Sequence, residues 1–197
     1  MFELGRITDR KPPFHYSAIA RVAFSDTDAQ GVVYYGRYMP YFDLARTEYH
    51  RHLGRVVLEN VDFAMRAVTV EYVAGARFDD LLEIFVRVER IGTTSINYDH
   101  AAYRVIDGED DLMATAKATL VCIDLNERRA VTVPDAFREQ VTAFDGCPAP
   151  PSHTGTGTAR RDRRPAHARR RAAADARPRP SPRRTTSTRH ARPGRLR

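Results

Sequence analysis

An α+β fold, with one long helix packed on one face of an antiparallel sheet, is predicted by three observations on this 197-residue chain. A single segment, 40–54, has helical periodicity. Four later segments alternate apolar and polar residues with a period of two. Short turn signals join those four segments, as antiparallel neighbours require.

Residues 1–14 are polar, with Pro12 and Pro13 as breakers, and read as a loose lead-in. Residues 15–25, rich in Ile19, Val22 and Phe24, read as a strand. Residues 26–36 are turn-like, punctuated by Gly31 and Gly36. The helix follows. Pro40 suits a first turn, where its missing N–H costs nothing. Phe42, Ala45, Tyr49 and Leu53 recur at steps of 3, 4 and 4, so they share one face. Gly54 is a natural stop. Arg46, Glu48, Arg51 and His52 supply polar character on the remaining surface.

Beyond the helix, Val68, Val70, Tyr72 and Ala74 alternate with Thr69 and Glu71. Ile84, Val86 and Val88 alternate with Arg87 and Glu89. Ile96, Tyr98 and His100 open a third run that continues to Ile106. Leu112, Ala114, Ala116, Ala118, Leu120 and Cys122 make the fourth. Turn residues at Asp79-Asp80, Gly92-Thr93 and Asp107-Gly108 separate them, so the four strands are expected to pair as a meander. The alanines of the fourth run predict that it lies under the helix, since small side chains permit close approach. Residues 134–144 read as a short closing helix.

Charge divides the chain. From Ala149 onward there are 15 Arg against 2 Asp, with no Lys, Phe or Tyr, so the net +7 belongs to that tail and the rest is acidic. Such a tail cannot bury enough apolar surface to offset its ordering entropy and is expected to be disordered. The organisation expected is a lead-in over 1–14, one domain over 15–146, and a basic tail over 147–197. Arg, Pro, Ala and Gly all have GC-rich codons, so a frame-shifted read-through would also produce this tail. Cys122 and Cys147 make neither a disulfide framework nor a metal-ligand spacing, and Cys122 reads as a small buried hydrophobe. No stretch approaches the roughly 20 apolar residues of a membrane span. Residues 1–13 have no apolar run fit for a secretory leader, so a cytoplasmic protein is expected.

The chain has no Gly-x-Ser-x-Gly elbow, no phosphate-binding Gly-x-x-x-x-Gly-Lys loop and no Gly-x-Gly-x-x-Gly fingerprint. His50 and His52 are two apart on a helix, point to different faces, and read as solvated surface residues rather than metal ligands. No metal or cofactor is expected. What remains is the segment 24–38, with Asp26 and Asp28 between a strand and a helix, beside Tyr34 and Tyr35. Turn formation or helix capping accounts for such acids most often. A carboxylate near a helix N-terminus also has oriented N–H groups beside it, and these stabilise an oxyanion.

The run from Arg21 through Ser25-Asp26-Thr27-Asp28 and Gly31-Val32-Val33-Tyr34-Tyr35 resembles the active-site signature of the 4-hydroxybenzoyl-CoA thioesterase family. Thr69-Val70-Glu71-Tyr72, Asp80-Leu81-Leu82-Glu83, Gly92-Thr93-Thr94-Ser95 and Ala116 to Asp124 are similar to the same family, and the likeness covers 15–140. Within it the chain looks most like the bacterial acyl-CoA thioesterases associated with the Tol–Pal system. The resemblance implies a hotdog fold, a homodimer or homotetramer with sites at the dimer interface, and hydrolysis of an acyl-CoA or acyl-carrier-protein thioester. It implies Asp28 as the catalytic carboxylate and the backbone N–H of Tyr35 as the group that polarises the thioester carbonyl. Asp26 matches a motif acid without a catalytic task. Gly36, Gly92, Thr94, Ser95 and Arg90 are the substrate-binding positions expected, with Arg77, Arg87 and Lys117 as further partners for CoA phosphates. Exposed strand faces explain Arg87, Arg90 and Lys117 as readily, and a plain hairpin turn explains Gly92. Tol–Pal-type enzymes carry His where this chain has Tyr35, whereas aryl-CoA-cleaving members carry Tyr, so a short-chain aliphatic preference does not follow.

Two rivals remain. An acyl-thioester dehydratase or hydratase of the same fold needs a His paired with an acid, and none occurs between His15 and His50. A nucleic-acid-binding role would rest on the arginine tail alone and is disfavoured.

Overall fold

A computed structural model describes residues 4–54, 60–106 and 109–146. The basic tail, and with it Cys147, lies outside the described residues. The described strands are β1 (Gly5–Ile7), β2 (Tyr16–Arg21), β3 (Val61–Tyr72), β4 (Leu81–Ile91), β5 (Ser95–Ile106) and β6 (Glu109–Asp124). The helices are α1 (Tyr38–His52), entered through a 3-10 turn at Tyr35–Arg37, and α2 (Asp135–Asp145). The α+β expectation holds: one antiparallel six-stranded sheet carries the long helix on one face.

The apolar stripe of α1 is where its spacing puts it. Phe42, Ala45 and Tyr49 are buried, with Tyr38 and Tyr41 beside them. Pro40 is the third residue of the helix, among the first four N–H positions that have no intrahelical acceptor. At the other end Leu53 N–H reaches the Tyr49 carbonyl at 3.0 Å, and Gly54 takes φ +95°, a conformation that favours glycine.

Three expectations change. The lead-in contributes a strand, because Gly5–Ile7 pairs with Tyr16–Ala18 of β2. Its Arg6 and Arg10 then reach Glu83, which is fully buried on the far face of the sheet and also accepts from the Ser17 hydroxyl at 2.7 Å. Second, the strands do not form one meander. Their order is β1-β2-β4-β5-β6-β3, so β3 crosses to the free edge of β6 and β2 takes its place beside β4. Alternation marks which residues face inward but carries no information about which strand is the neighbour. Third, α1 comes closest to β2 and β4, not to the alanine strand. The alanines make room for rings of β5 instead. Across the sheet, Val86, His100, Ala116 and Val70 form one row and Val88, Tyr98, Ala118 and Val68 the next.

His50 is also not a solvated surface residue. Its Nε2 lies 2.8 Å from the Tyr98 hydroxyl, and its ring packs near Phe63 and Phe137. Burial, with the Arg46 charge nearby, pushes its pKa down to about 3. His52 is exposed and stacks on Tyr16 at 5.1 Å.

Candidate active site

The two acids sit in a loop tied at both ends. Leaving β2, Val22 N–H bonds the Asp80 carbonyl and Asp79 N–H returns to the Val22 carbonyl. A 3-10 turn, Phe24–Asp26, then turns the chain, and Thr27 and Val33 form an isolated antiparallel bridge across the loop. Val33 N–H donates to the Ala76 carbonyl at 2.8 Å, and Tyr34 N–H to the Asp26 carbonyl at 2.9 Å. Thus the segment between β3 and β4 braces the loop that leads into α1.

Asp26 is 4% exposed. Its carboxylate accepts from the Tyr41 hydroxyl at 2.5 Å, Arg37 Nε at 2.8 Å and Ala23 N–H at 3.0 Å. Burial by itself would raise its pKa, but the bonds from Tyr41, Arg37 and Ala23 outweigh that and hold it below the usual carboxylate value. Burial, joined by the same contact, pushes the Tyr41 phenol up. These partners occupy both oxygens, so Asp26 locks the loop to the first turns of α1.

Asp28 has a different setting. It is half-buried, and Oδ1 accepts the Gln30 N–H at 2.8 Å. The other carboxylate oxygen has no partner among the described residues. The backbone closes the turn: Asp28 N–H donates to the Val32 carbonyl at 2.9 Å, Gly31 N–H to the Asp28 carbonyl at 3.0 Å, and Gly31 takes φ +75°. Asp28 is therefore a turn residue rather than a helix cap, with one oxygen left for chemistry.

Tyr35 opens the helical segment. The first bond of that turn is Arg37 N–H to the Tyr34 carbonyl at 2.8 Å, so the N–H groups of Tyr35 and Gly36 precede it and have no intrahelical acceptor. The Tyr35 side chain is 61% exposed. It lies against Tyr34, with ring centroids 4.2 Å apart, and its carbonyl accepts the Tyr72 hydroxyl at 3.1 Å. Asp28, Tyr35 and Gly36 thus share one braced loop.

The remaining expected substrate positions lie elsewhere in the chain. Gly92, Thr94 and Ser95 form the β4–β5 turn, at the end of β4 opposite Leu81, which pairs with Arg21 at the start of the acid-bearing loop. Ten residues of strand separate the two ends, roughly 33 Å. The carbonyls of that turn are engaged: Gly92 and Thr93 accept from Arg138, and Thr94 from Cys122 N–H. Arg90 and Arg77 are exposed and make no ion pair among the described residues. Arg87 pairs with Asp99 at 2.6 Å, and Lys117 with Glu89 and Asp99. A single chain does not bring Asp28 and the Gly92–Ser95 turn together. Among the described residues no group of three or more potential metal ligands exists, and no helix is long and apolar enough to cross a membrane.

Sequence reasoning missed the holders of the loop: Arg37, Tyr41, Ala76 and Gly75. A Cβ on Gly75 would fall 2.8 Å from Val32 Cγ1, so glycine here permits the loop's close approach. No periodicity links these positions to Asp28, and only the fold reveals them.

A family model described as "Thioesterase-like superfamily" matches residues 22–141. Among curated proteins, the acyl-CoA thioester hydrolase YbgC of Escherichia coli O6:H1 is 40% identical over 108 residues, covering 53% of this chain and 78% of that protein. The acyl-CoA thioesterase YbgC of Haemophilus influenzae is 32% identical over 124 residues, covering 60% and 88%. Among solved structures, a 4-hydroxybenzoyl-CoA thioesterase variant complexed with 4-hydroxybenzoyl-CoA superposes with a TM-score of 0.60 at 24% identity, over 64% of this chain and 96% of the other. At that identity the likeness speaks for the fold.

Proposed function

The chain belongs to the thioesterase-like superfamily, with its hotdog fold and its thioester hydrolysis, and we propose that its substrate is an acyl-CoA attacked with the help of Asp28. Asp28 carries the reading through one observation: its free carboxylate oxygen stands on the same braced loop as the unbonded N–H groups of Tyr35 and Gly36.

Hydrolysis adds water across the carbonyl carbon–sulfur bond and yields a carboxylic acid and a thiol. Charge builds on the carbonyl oxygen in the transition state, and N–H groups at a helix start are fixed dipoles aimed at such charge. Asp28 either attacks the carbonyl carbon to form an anhydride that water opens, or takes a proton from the attacking water. CoA thiolate leaves readily, so no strong general acid is required. Arg77 and Arg90, both exposed without ion partners among the described residues, are the groups we assign to the CoA phosphates; they lie toward opposite ends of β4, so the same CoA would meet them from different copies. A CoA substrate supports a cytoplasmic location, which we assign to the protein.

We assign the protein to a homodimer, or a pair of homodimers. β3 is an edge strand of 12 residues. Exposed Met65, Val68 and Tyr72 line it, and Tyr35 lies beside Tyr72. A long apolar edge invites pairing with a second copy. Such pairing would bring a second chain toward the Asp28 loop, which supports a site shared between copies. Hydration of an enoyl thioester is not favoured, since the curated relatives reported above are named for hydrolysis.

Thiol release from acyl-CoA thioesters tests the assignment. Asp28→Asn keeps the shape of the turn and removes the charge. It is expected to lower kcat by at least about 100-fold with the protein still folded. A folded Asp28→Asn protein with near-normal thiol release would exclude Asp28 as nucleophile and base.

A further inference from the structure

The two N–H groups at the start of the helical segment belong to different peptide units, and those units are held differently. The Tyr35 N–H shares its unit with the Tyr34 carbonyl, which accepts Arg37 N–H at 2.8 Å within the turn. The Gly36 N–H shares its unit with the Tyr35 carbonyl. That oxygen accepts Tyr38 N–H from the same turn and, at 3.1 Å, the Tyr72 hydroxyl from β3. The second bond ties the helix start to a strand far away in the sequence.

Alternation along β3 accounts for the reach. Tyr72 pairs with Ala114 of β6, and the row continues through Ala102 and Ile84 to Ala18. Those four are fully buried in the core that also holds Tyr38, Phe42 and Ala45 of α1, so Tyr72 faces the helix side as well. Because β3 is the edge strand, Tyr72 ends the row and stays half-exposed. Its ring stands edge-on to Tyr38 and Tyr35, with centroids 5.7 Å and 6.3 Å away. A phenylalanine would keep those ring contacts, so packing alone does not call for the hydroxyl.

We propose that Tyr72 is a positioning residue for thioester hydrolysis, acting through the Tyr35–Gly36 peptide on the oxygen of the thioester carbonyl. This rests on the reading above that the helix start meets that oxygen. A trans peptide carries its C=O and its N–H in opposite directions. A donor that fixes the Tyr35 carbonyl therefore also fixes where the Gly36 N–H points. It draws electron density away from the peptide nitrogen too, and bonds linked in this way strengthen one another. The Gly36 N–H is then a better donor to a developing oxyanion, and the benefit is larger for the charged transition state than for the neutral carbonyl of bound substrate. In this role no proton leaves Tyr72.

Tyr72→Phe keeps the ring and removes the hydroxyl. Its kcat on an acyl-CoA thioester should fall about 3- to 10-fold, the effect of one hydrogen bond, with KM within about twofold of wild type. The urea midpoint should hardly move, because the lost bond is exposed. Two acyl-CoA analogues that resist cleavage separate positioning from shape. A trifluoromethyl ketone in place of the thioester adds a nucleophile to give a tetrahedral oxyanion, whereas a thioether has no carbonyl oxygen. Tyr72→Phe should weaken binding of the ketone by the same factor as kcat and leave binding of the thioether unchanged. A kcat equal to wild type, a rise in KM alone, or equal weakening of both analogues overturns the proposal and leaves Tyr72 a packing residue. The hydrolase reading survives each of those results, since wild-type thiol release is untouched. With no thioester cleaved by the wild type, that reading falls and this one with it.

Discussion

At Asp26, burial and hydrogen bonding pull in opposite directions, and the bonds win. Two residues later Asp28 has a single backbone bond to its carboxylate. A motif scan treats both as acids, but only one has an oxygen free to meet a substrate. The consequence for Asp26 is measurable. Asp26→Asn should cost about 1–3 kcal/mol at neutral pH, the range for hydrogen bonds to a charged group. The Arg37 side chain is 45% exposed, which keeps the loss below that of a fully buried ion pair. The folded-state pKa of Asp26 is lowered, so its contribution is complete above the unfolded value of 3.8 and is lost as pH falls through the folded one. The gap in urea midpoint between wild type and Asp26→Asn should therefore hold from neutral pH to about pH 5 and close below about pH 4. His50 and His100 weaken the fold in acid too, because their folded pKa values lie near 3 while the unfolded chain takes up protons below 6.5. That loss is common to both proteins and cancels in the difference. A gap unchanged down to about pH 2 would mean that Asp26 is not the charged partner the geometry describes.

The elements act on Asp28 through one braced connection. The segment between β3 and β4 binds Val33 through Ala76 and leaves no room for a side chain at Gly75. Val32, the residue that a Gly75 Cβ would strike, also accepts the Asp28 N–H. Gly75→Ala should thus displace the carboxylate and lower kcat/KM by about tenfold or more, since misplacement near 1 Å costs up to about 100-fold. Gly75 is exposed and lies outside the sheet, so the urea midpoint should hardly move. Unchanged thiol release in a folded Gly75→Ala protein would show that the loop adjusts freely. None of this was legible in the chain as written. The helix was, because Phe42, Ala45 and Tyr49 repeat at its period, and so were the inward faces of β4, β5 and β6. The neighbour of β3 was not, since pairing between strands far apart in sequence leaves no local pattern. Asp28 and Tyr35 could be picked out by resemblance to a motif. Arg37, Tyr41 and Gly75, which hold that motif in place, are ordinary residues until the fold sets them against it. His50 misled for the same reason: its helix position looks polar, and only the fold sets Phe63, Phe137 and the Tyr98 hydroxyl against it.

At the scale of the whole molecule, the division of charge marks where the working protein should be cut. α2 belongs to the domain. Phe137 and Val141 are buried, and Asp145 accepts from the Tyr49 hydroxyl at 2.7 Å and from Val88 N–H at 2.9 Å. Arg138 holds the β4–β5 turn through the carbonyls of Gly92 and Thr93. Gly146 then takes φ +66° and ends the helix with its N–H on the Thr142 carbonyl. A stop after Gly146 leaves all of these contacts intact and removes the arginine-rich tail, which we propose is dispensable. Such a protein should keep its urea midpoint, the sedimentation of the full chain, proposed above to be that of a homodimer or larger assembly, and its thiol release. A stop after Pro134 should behave differently, because it uncovers apolar surface on β4 and the helix and removes Asp145 and Phe144 from Tyr49. Loss of two well-buried side chains alone costs several kcal/mol, roughly 2–5 for each, against a typical total of about 5–15. The shorter protein should therefore be largely unfolded or aggregated. Sedimentation velocity on the two truncations and the full chain decides the matter. Dissociation to an inactive monomer on cutting after Gly146 would assign the tail a part in assembly, and a soluble, active protein cut after Pro134 would remove α2 from the core.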